Sequence, residues 1–495
     1  MQFGKRTLAA LLLATPLLAQ AASVKFSVTY DQEKFAGPFT GRVVIYLSRN
    51  MKEPRLGPNW FRPEPMFSAK FSKMGPYAPM VIADACDFFP APPSKIEPGE
   101  YWVQAVIDRN LGGRAIGECA GNLYSNSAKV NFDGKGDLEI SIRCANVVED
   151  RPFKESERVR EFSIVSKLLS QHYGRPTTMK AAVALPQEWM DEPTRKFPII
   201  YSIPGFGGDH RSLSGRENAS QTHRAGEPFL YVALNPDCPT GHSVFADSEN
   251  NGPWGKALTT ELIPALEKQF RAIGKTETRF VTGHSSGGWS SLWLQVAYPD
   301  VFGGCWSTSP DPIDFRDFQQ INLYKPGENM FVDSTGAQRP IARFGSQVAI
   351  FYKQFSDMEV PIRGEQLGSF EGVFSPKGPD GEPKKLWNRK TGAIDMNVAN
   401  AWRKYDIGLI LRENWKKLAP KLSGKIHVYM GLSDTFYLEG AVKLVQKDMK
   451  EIMADCVIEL FPGDHGSVMT AELRQRIDRE MAQQYRKTLQ GAVQQ

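Results

Sequence analysis

From Met179 onward the chain repeats one local pattern, a short apolar run, a turn and an amphipathic segment, and this alternation constrains the fold more than any other feature. The apolar runs are MKAAVALP (179–186), FPIIYSIPG (197–205), FLYVALN (229–235), RFVTGH (279–284), GCWSTS (304–309), KIHVYMG (425–431) and CVIELFPG (456–463). Between them, WGKALTTELIPALEKQFRAIG (254–274) places Leu258, Leu262, Ile263, Leu266 and Phe270 at helical spacing. Such alternation predicts an α/β domain over residues 179–495, with a mostly parallel sheet and flanking helices. The pattern breaks once. Residues from about 310 to 422 carry little strand periodicity and include the turn-rich SPKGPDGEPKKLWNRKTGAID (375–395). An insertion there would be a cap or lid over the sheet's carboxyl edge, where α/β ligand sites lie.

At 495 residues the chain exceeds one ordinary core, and its front part reads differently. Over residues 22–146, alternating runs such as VKFSVTY (24–30), GRVVIYLS (41–48), EYWVQAVID (100–108) and DLEISIRC (137–144) are separated by Pro- and Gly-rich turns. They predict a β-sandwich domain, with either a positioning or a ligand-binding role. The charged stretch VVEDRPFKESERVRE opens what reads as a linker, residues 147–178.

The first 21 residues combine a charged start, MQFGKR, an apolar run and a small-x-small site ending at Ala21. That is the pattern of a cleavable export signal, so a secreted or periplasmic protein without stable membrane insertion is expected. Removing Lys5 and Arg6 with the signal lowers the formal net charge from +5 to +3, a balance that gives no reason to expect nucleic acid. The six cysteines show no CxxC spacing and no paired histidines accompany them, so no metal site and no cofactor is expected. Export makes disulfides possible, and free thiols are equally open.

Chemistry concentrates in FVTGHSSGGWSSLWLQ (280–295). Gly283-His284-Ser285-Ser286-Gly287 fits G-x-S-x-G with Ser285 as the serine, between a strand-like and a helix-like run, as a nucleophile elbow requires. A side chain at Gly283 or Gly287 would collide with neighbouring backbone in so sharp a turn. On this fold the triad order is serine, acid, histidine. Of the seven histidines only His427 and His465 follow Ser285; His427 lies inside a strand, and His465 lies in a loop after the last one. His465 is therefore the expected base. Asp434, just after KIHVYMG, is the expected acid, ahead of Asp464 beside the histidine and Glu439 in the next helix. The oxyanion hole needs the N–H of Ser286 and a second N–H from IPGFGGDH, at Phe206 or Gly207. The loop NPDCPTGHSVFADSENNGPWGKAL (235–258) follows a strand at the same edge, so His242, Asp247, Asn250, Asn251 and Trp254 are candidate substrate contacts, with helix capping as the alternative for Asp247 and the asparagines. Asp311, Asp314, Arg316 and Asp317 either line the pocket or sit on the surface.

The PGFGG loop, the GHSSGG elbow, Asp434 and His465, in this order, resemble the putative-esterase (esterase D-like) family of α/β-hydrolases. With a β-sandwich in front, the chain is most similar to its enterochelin-esterase-related secreted members. The resemblance implies an α/β-hydrolase fold and a serine esterase acting on a small-molecule or glycan-linked ester. Two departures bear on substrate choice: Pro204 stands where many relatives have histidine, and a long insertion separates Ser285 from Asp434. A serine peptidase or an acyltransferase would use the same triad, and a binding protein with a decayed hydrolase domain is the non-catalytic alternative. Nothing in the sequence fixes the oligomeric state.

Overall fold

The structure, a computed structural model, describes residues 23–217 and 220–493. The expected signal segment, 1–21, lies outside the described residues.

Eight strands build the central sheet: β1 (Val159–Ser166), β2 (Thr177–Ala184), β3 (Ile199–Ile203), β4 (Leu230–Leu234), β5 (Arg279–His284), β6 (Gly304–Thr308), β7 (Ile426–Gly431) and β8 (Val457–Phe461). Their spatial order is β1-β2-β4-β3-β5-β6-β7-β8. β2 runs antiparallel to both neighbours, and every pair from β4 to β8 is parallel. The result is a mixed, α/β-hydrolase-like sheet. Its central strands are apolar on both faces because helices cover both. Five helices matter here: α1 (Ser286–Ala297), α2 (Gln366–Phe374), α3 (Ile407–Leu422), α4 (Glu439–Glu451) and α5 (Ala471–Val493). On one face Ile200, Phe280, Trp306 and Tyr429 pack with Leu473, Ile477, Met481 and Tyr485, the four-residue stripe of α5. On the other, Tyr201, Val281 and Val428 join a core with Leu292 of α1, Leu411 of α3 and Val445 of α4.

The stretch read as a linker is not one throughout, because β1 lies inside it, followed by a short helix, Lys167–Tyr173. β1 is an edge strand whose polar positions Arg160, Glu161 and Ser163 hide the periodicity, while Val159 and Phe162 are buried. The insertion is also shorter than the expected 310–422. α3 packs on α1 and α4 and connects β6 to β7 as a sheet-flanking helix, so the inserted part ends near residue 406. It contains one hairpin, Pro340–Phe344 with Gln347–Phe351, and short helices including α2.

Ahead of β1, a mixed three-stranded sheet and an antiparallel seven-stranded sheet enclose a second core. Phe26, Val28 and Tyr30 of one sheet meet Val43, Ile45 and Leu47 of the other. Alternation then decides the neighbouring positions: Val44, Tyr46 and Val106 point away from that core and join the core of the central domain instead. The outer face of the N-terminal sheet is thus an internal interface. It is pinned by Arg363 of the insertion, whose Nε and Nη2 donate to Asp108 at 2.6 and 2.7 Å and whose Nη1 donates to the Pro239 carbonyl at 2.7 Å. All six cysteines are free thiols.

Candidate active site

β5 ends at His284 and α1 starts at Ser286, leaving Ser285 to make the turn alone, at φ 60° and ψ −125°. This conformation is costly for a residue with a side chain and persists only where the surroundings impose it. Here the Ser285 N–H donates to the Thr308 carbonyl at 3.0 Å, and the Ser285 carbonyl accepts from Trp289 N at 3.0 Å and Asp311 N at 3.3 Å. The flanking glycines are a steric requirement. A Cβ on Gly283 would lie 2.1 Å from the Gly287 carbonyl oxygen, and one on Gly287 would lie 2.0 Å from that of Ile203.

Asp434 follows β7 by three residues and is fully buried. Its Oδ1 accepts the Phe436 N–H at 2.8 Å, and its Oδ2 accepts from His465 Nδ1 at 2.7 Å. With the Nδ1 proton held there, Nε2 is the ring nitrogen left to act as a base. His465 sits after β8 in a loop braced by Asp464, whose Oδ1 accepts from Gly466 N and Ser467 N at 3.1 and 2.8 Å. Burial opposes the His465 imidazolium, but the Asp434 hydrogen bond and charge, aided by Asp311 and Asp464, outweigh it and hold the pKa above the ordinary 6.5. The neighbouring His284 goes the other way: burial first, then the His465 charge, push it down to about 4. The two rings lie 4.7 Å apart, so only His465 of this pair is built to take a proton.

Ser285, His284 and His465 open into a cavity of about 310 Å³. Gly205 and Phe206 of the Gly-rich loop line it, with Asp311, Gln319 and Gln366 as its other polar groups. The remaining walls are apolar, from Phe355, Phe370 and Ile341 of the insertion and Phe436 and Leu438 after β7. Trp60 and Phe61 of the N-terminal domain complete the lining. A larger cleft of about 840 Å³, between the N-terminal sheet and the insertion, is bordered mainly by charged side chains and reaches neither Ser285 nor His465.

Of the expected triad residues, Asp434 bonds to His465, and His465 and Ser285 line one cavity; of the oxyanion candidates Phe206 lines it as well. Gly207, at φ 82°, carries the turn behind it and does not line the cavity. Ser286 is buried, and its hydroxyl donates to Asp311 Oδ2 at 2.6 Å, which leaves its backbone N–H as its contribution at the elbow. Burial pushes Asp311 up to about 6, against the hydrogen bonds from Ser286 and Gln366 and the charge of His465. His427 is a packed strand histidine, stacked on Trp306 at 4.7 Å and bonded to the Cys305 carbonyl. Glu439 pairs with Arg343.

The candidate substrate contacts lie outside this cavity: none of His242, Asp247, Asn251 or Trp254 lines it, nor does Asn250. His242 is buried and neutral, pushed down to about 4 by burial; its Nδ1 accepts the Val244 N–H, so its Nε2–H donates to the Pro204 carbonyl at 3.0 Å. It positions the Gly-rich loop from behind. Asp247 accepts from Lys256 N and Tyr298 Oη, the capping alternative, and Asn251 Oδ1 accepts from Thr240 Oγ1. Trp254 packs edge-on against Phe245. The loop follows β4 at the carboxyl edge as expected, but the insertion covers it: Ser369 of α2 bonds both the His242 N–H and its carbonyl. Asp314 is buried with Arg316, Arg412 and Asp448, away from the cavity. Trp60, Phe61 and Gln366 were not picked out from sequence; an aromatic pair in the Pro-rich loop GPNWFRPEP was the one available signal.

A sheet of this kind with a serine elbow at its carboxyl edge is a serine-hydrolase framework that esterases, peptidases and acyltransferases share, and the family match makes this chain a carboxylic ester hydrolase. The family described as "Putative esterase" matches residues 173–472, more than half of the chain, and the chain belongs to that family. No curated protein matches it in sequence. Among solved structures it is similar to a ferulic acid esterase (13% identity, TM-score 0.40, covering 66% of this chain and 99% of that one). It is also similar to the fluorophosphonate-binding serine hydrolase F of Staphylococcus aureus (14%, 0.40, 67% and 99%) and to an S-formylglutathione hydrolase of Agrobacterium tumefaciens (16%, 0.38, 66% and 95%). The assignment rests on the family match.

Proposed function

We propose that this carboxylic ester hydrolase is exported and works through an acyl-enzyme on a Ser285-His465-Asp434 triad. Ser285 Oγ attacks the ester carbonyl as its proton passes to His465 Nε2, while Asp434 holds the Nδ1 proton and stabilises the imidazolium. The N–H groups of Ser286 and Phe206 take the oxyanion, each donor worth on the order of a hundredfold in turnover. His465 then protonates the leaving alcohol, and water enters by the same route in reverse. The observation that carries this reading is the 2.7 Å bond from buried Asp434 to His465, which lines the same cavity as Ser285 at its strained turn. The N-terminal pair of sheets serves as a β-sandwich domain, and the insertion as the cap that shapes the pocket. The charged start, apolar run and Ala21 site support export, which N-terminal sequencing of the mature protein tests: a chain starting near Ala22 is expected, and one retaining residues 1–21 refutes it.

The substrate is a small-molecule or glycan-linked ester with an apolar part that the cavity can hold. Turnover of p-nitrophenyl esters by the wild type and its loss in Ser285→Ala tests the mechanism. Peptide p-nitroanilides and an added acceptor alcohol, run alongside, distinguish hydrolysis of esters from peptidase and acyltransferase activity. Undiminished ester turnover in Ser285→Ala would sink the triad.

A further inference from the structure

We infer that the N-terminal domain completes the ester pocket, with Trp60 and Phe61 forming a wall that selects esters carrying a bulky apolar group; the inference rests on the ester-hydrolase reading. Both residues lie outside the family-matched segment, in the loop joining the central strands Phe39–Ser48 and Met66–Met74 of the N-terminal sheet. Both line the cavity that holds Ser285 and His465.

Trp60 is fixed from several sides. Its ring packs on Phe206 of the Gly-rich loop at 5.4 Å and edge-on against Phe355 of the insertion at 5.1 Å. Its Nε1–H donates to buried Glu365 at 2.7 Å. The other oxygen of Glu365 faces Arg114 Nη1 at 3.5 Å, and the Arg114 guanidinium lies 4.8 Å over the ring of Phe206. Trp60, Glu365, Arg114 and Phe206 thus close a circuit through the N-terminal domain, the insertion and the loop that carries the oxyanion donor. A wall held this way loses little freedom when a ligand arrives, so apolar contact with it converts efficiently into binding.

Phe61 continues the wall outward. It packs at 5.0 Å on Phe344, a residue 59% exposed near the tip of the insertion's hairpin, so aromatic surface runs from the cavity to its mouth. Away from the triad this cavity offers the side chains of His284, Asp311, Gln319 and Gln366 as its polar groups, and Asp311 is already engaged by Ser286. An acetyl or methyl group would leave the aromatic wall untouched; an aryl or branched apolar group would cover it. The same chemistry serves either end of the ester, the acyl or the alcohol.

The test uses the full chain in two arms. One compares p-nitrophenyl 3-phenylpropanoate with p-nitrophenyl acetate; the other compares 2-phenylethyl acetate with ethyl acetate. The wild type is expected to prefer the bulky member in one arm, which tells the acyl from the alcohol side. Trp60→Ala and Phe61→Ala should each lower that ratio of kcat/KM by roughly tenfold or more. Trp60→Phe, which keeps a ring but cannot donate to Glu365, should retain most of the preference. The wall is refuted if the wild type shows no preference in either arm, or if both alanine variants retain it. Equal loss on bulky and small esters, or Trp60→Phe as damaging as Trp60→Ala, shows a structural role and also overturns the proposal. Should Trp60→Ala fail to fold, Phe61→Ala carries the decision from its more exposed position. A wild type that turns over no ester at all refutes the underlying reading instead.

Discussion

The turn around Ser285 and the walls around the cavity are built on opposite principles. At the elbow, backbone packs on backbone within 2–3 Å of any added Cβ, and the main chain of the adjacent strands β3, β5 and β6 sets the geometry. At the walls, side chains from three distant stretches, around Trp60, Phe206 and Phe355, meet only after the whole chain has folded. The reacting groups therefore sit at the rigid backbone ends of the central sheet, and the groups that choose the substrate sit on side-chain contacts between separate parts of the chain. A change at the first should abolish chemistry, and a change at the second should redirect it.

The largest loss that would sharpen this contrast is in Asp434→Asn, where ester turnover is expected to fall on the order of 10⁴-fold with the fold intact by circular dichroism. A loss under tenfold would mean that His465 does not depend on this carboxyl. In the wild type, kcat/KM should rise with pH as His465 loses its proton, with a midpoint above 6.5, because Asp434, Asp311 and Asp464 favour the imidazolium over the opposition of burial. With Asp434 neutralised, the residual activity should show its midpoint at lower pH; a midpoint that does not move would contradict the assignment.

Gly287→Ala comes next. Its methyl group would meet the Ile203 carbonyl at 2.0 Å, so the turn must open, and a loss of roughly 1–3 kcal/mol in unfolding free energy should accompany a fall in turnover of all esters alike. A selective loss on bulky esters alone would blur the distinction between elbow and wall. The smallest effect belongs to Ser286→Ala. Its N–H remains and only the hydroxyl bond to Asp311 is lost, so turnover should drop less than about tenfold, consistent with the modest worth of one hydrogen bond. A loss as large as that of Ser285→Ala would show that the two serines of the elbow have been exchanged.

The same division explains what could be read before folding. The strands from β2 to β8 and the register of Ser285 were legible because apolar periodicity and steric need for glycine are local properties. Asp434 and His465 followed from chain order on this fold. β1 is hidden in the sequence because an edge strand shows its polar side chains to solvent, and α3 is hard to separate from the insertion because its apolar stripe follows the turn-rich stretch without a marked boundary. His242 looked like a substrate contact since its loop follows β4 at the right edge; α2 then covers that loop, and the imidazole turns to the Pro204 carbonyl. Trp60 was invisible as a pocket residue, since nothing near it in sequence says that it will meet Phe206.

Peptide mapping of the full chain after reaction with a fluorophosphonate tests the central claim most directly. The adduct is expected on Ser285 and on no other residue of the peptide that contains Ser286, Ser290 and Ser291, and it should vanish in Ser285→Ala. An adduct on Ser286, or labelling that persists in Ser285→Ala, would contradict the account.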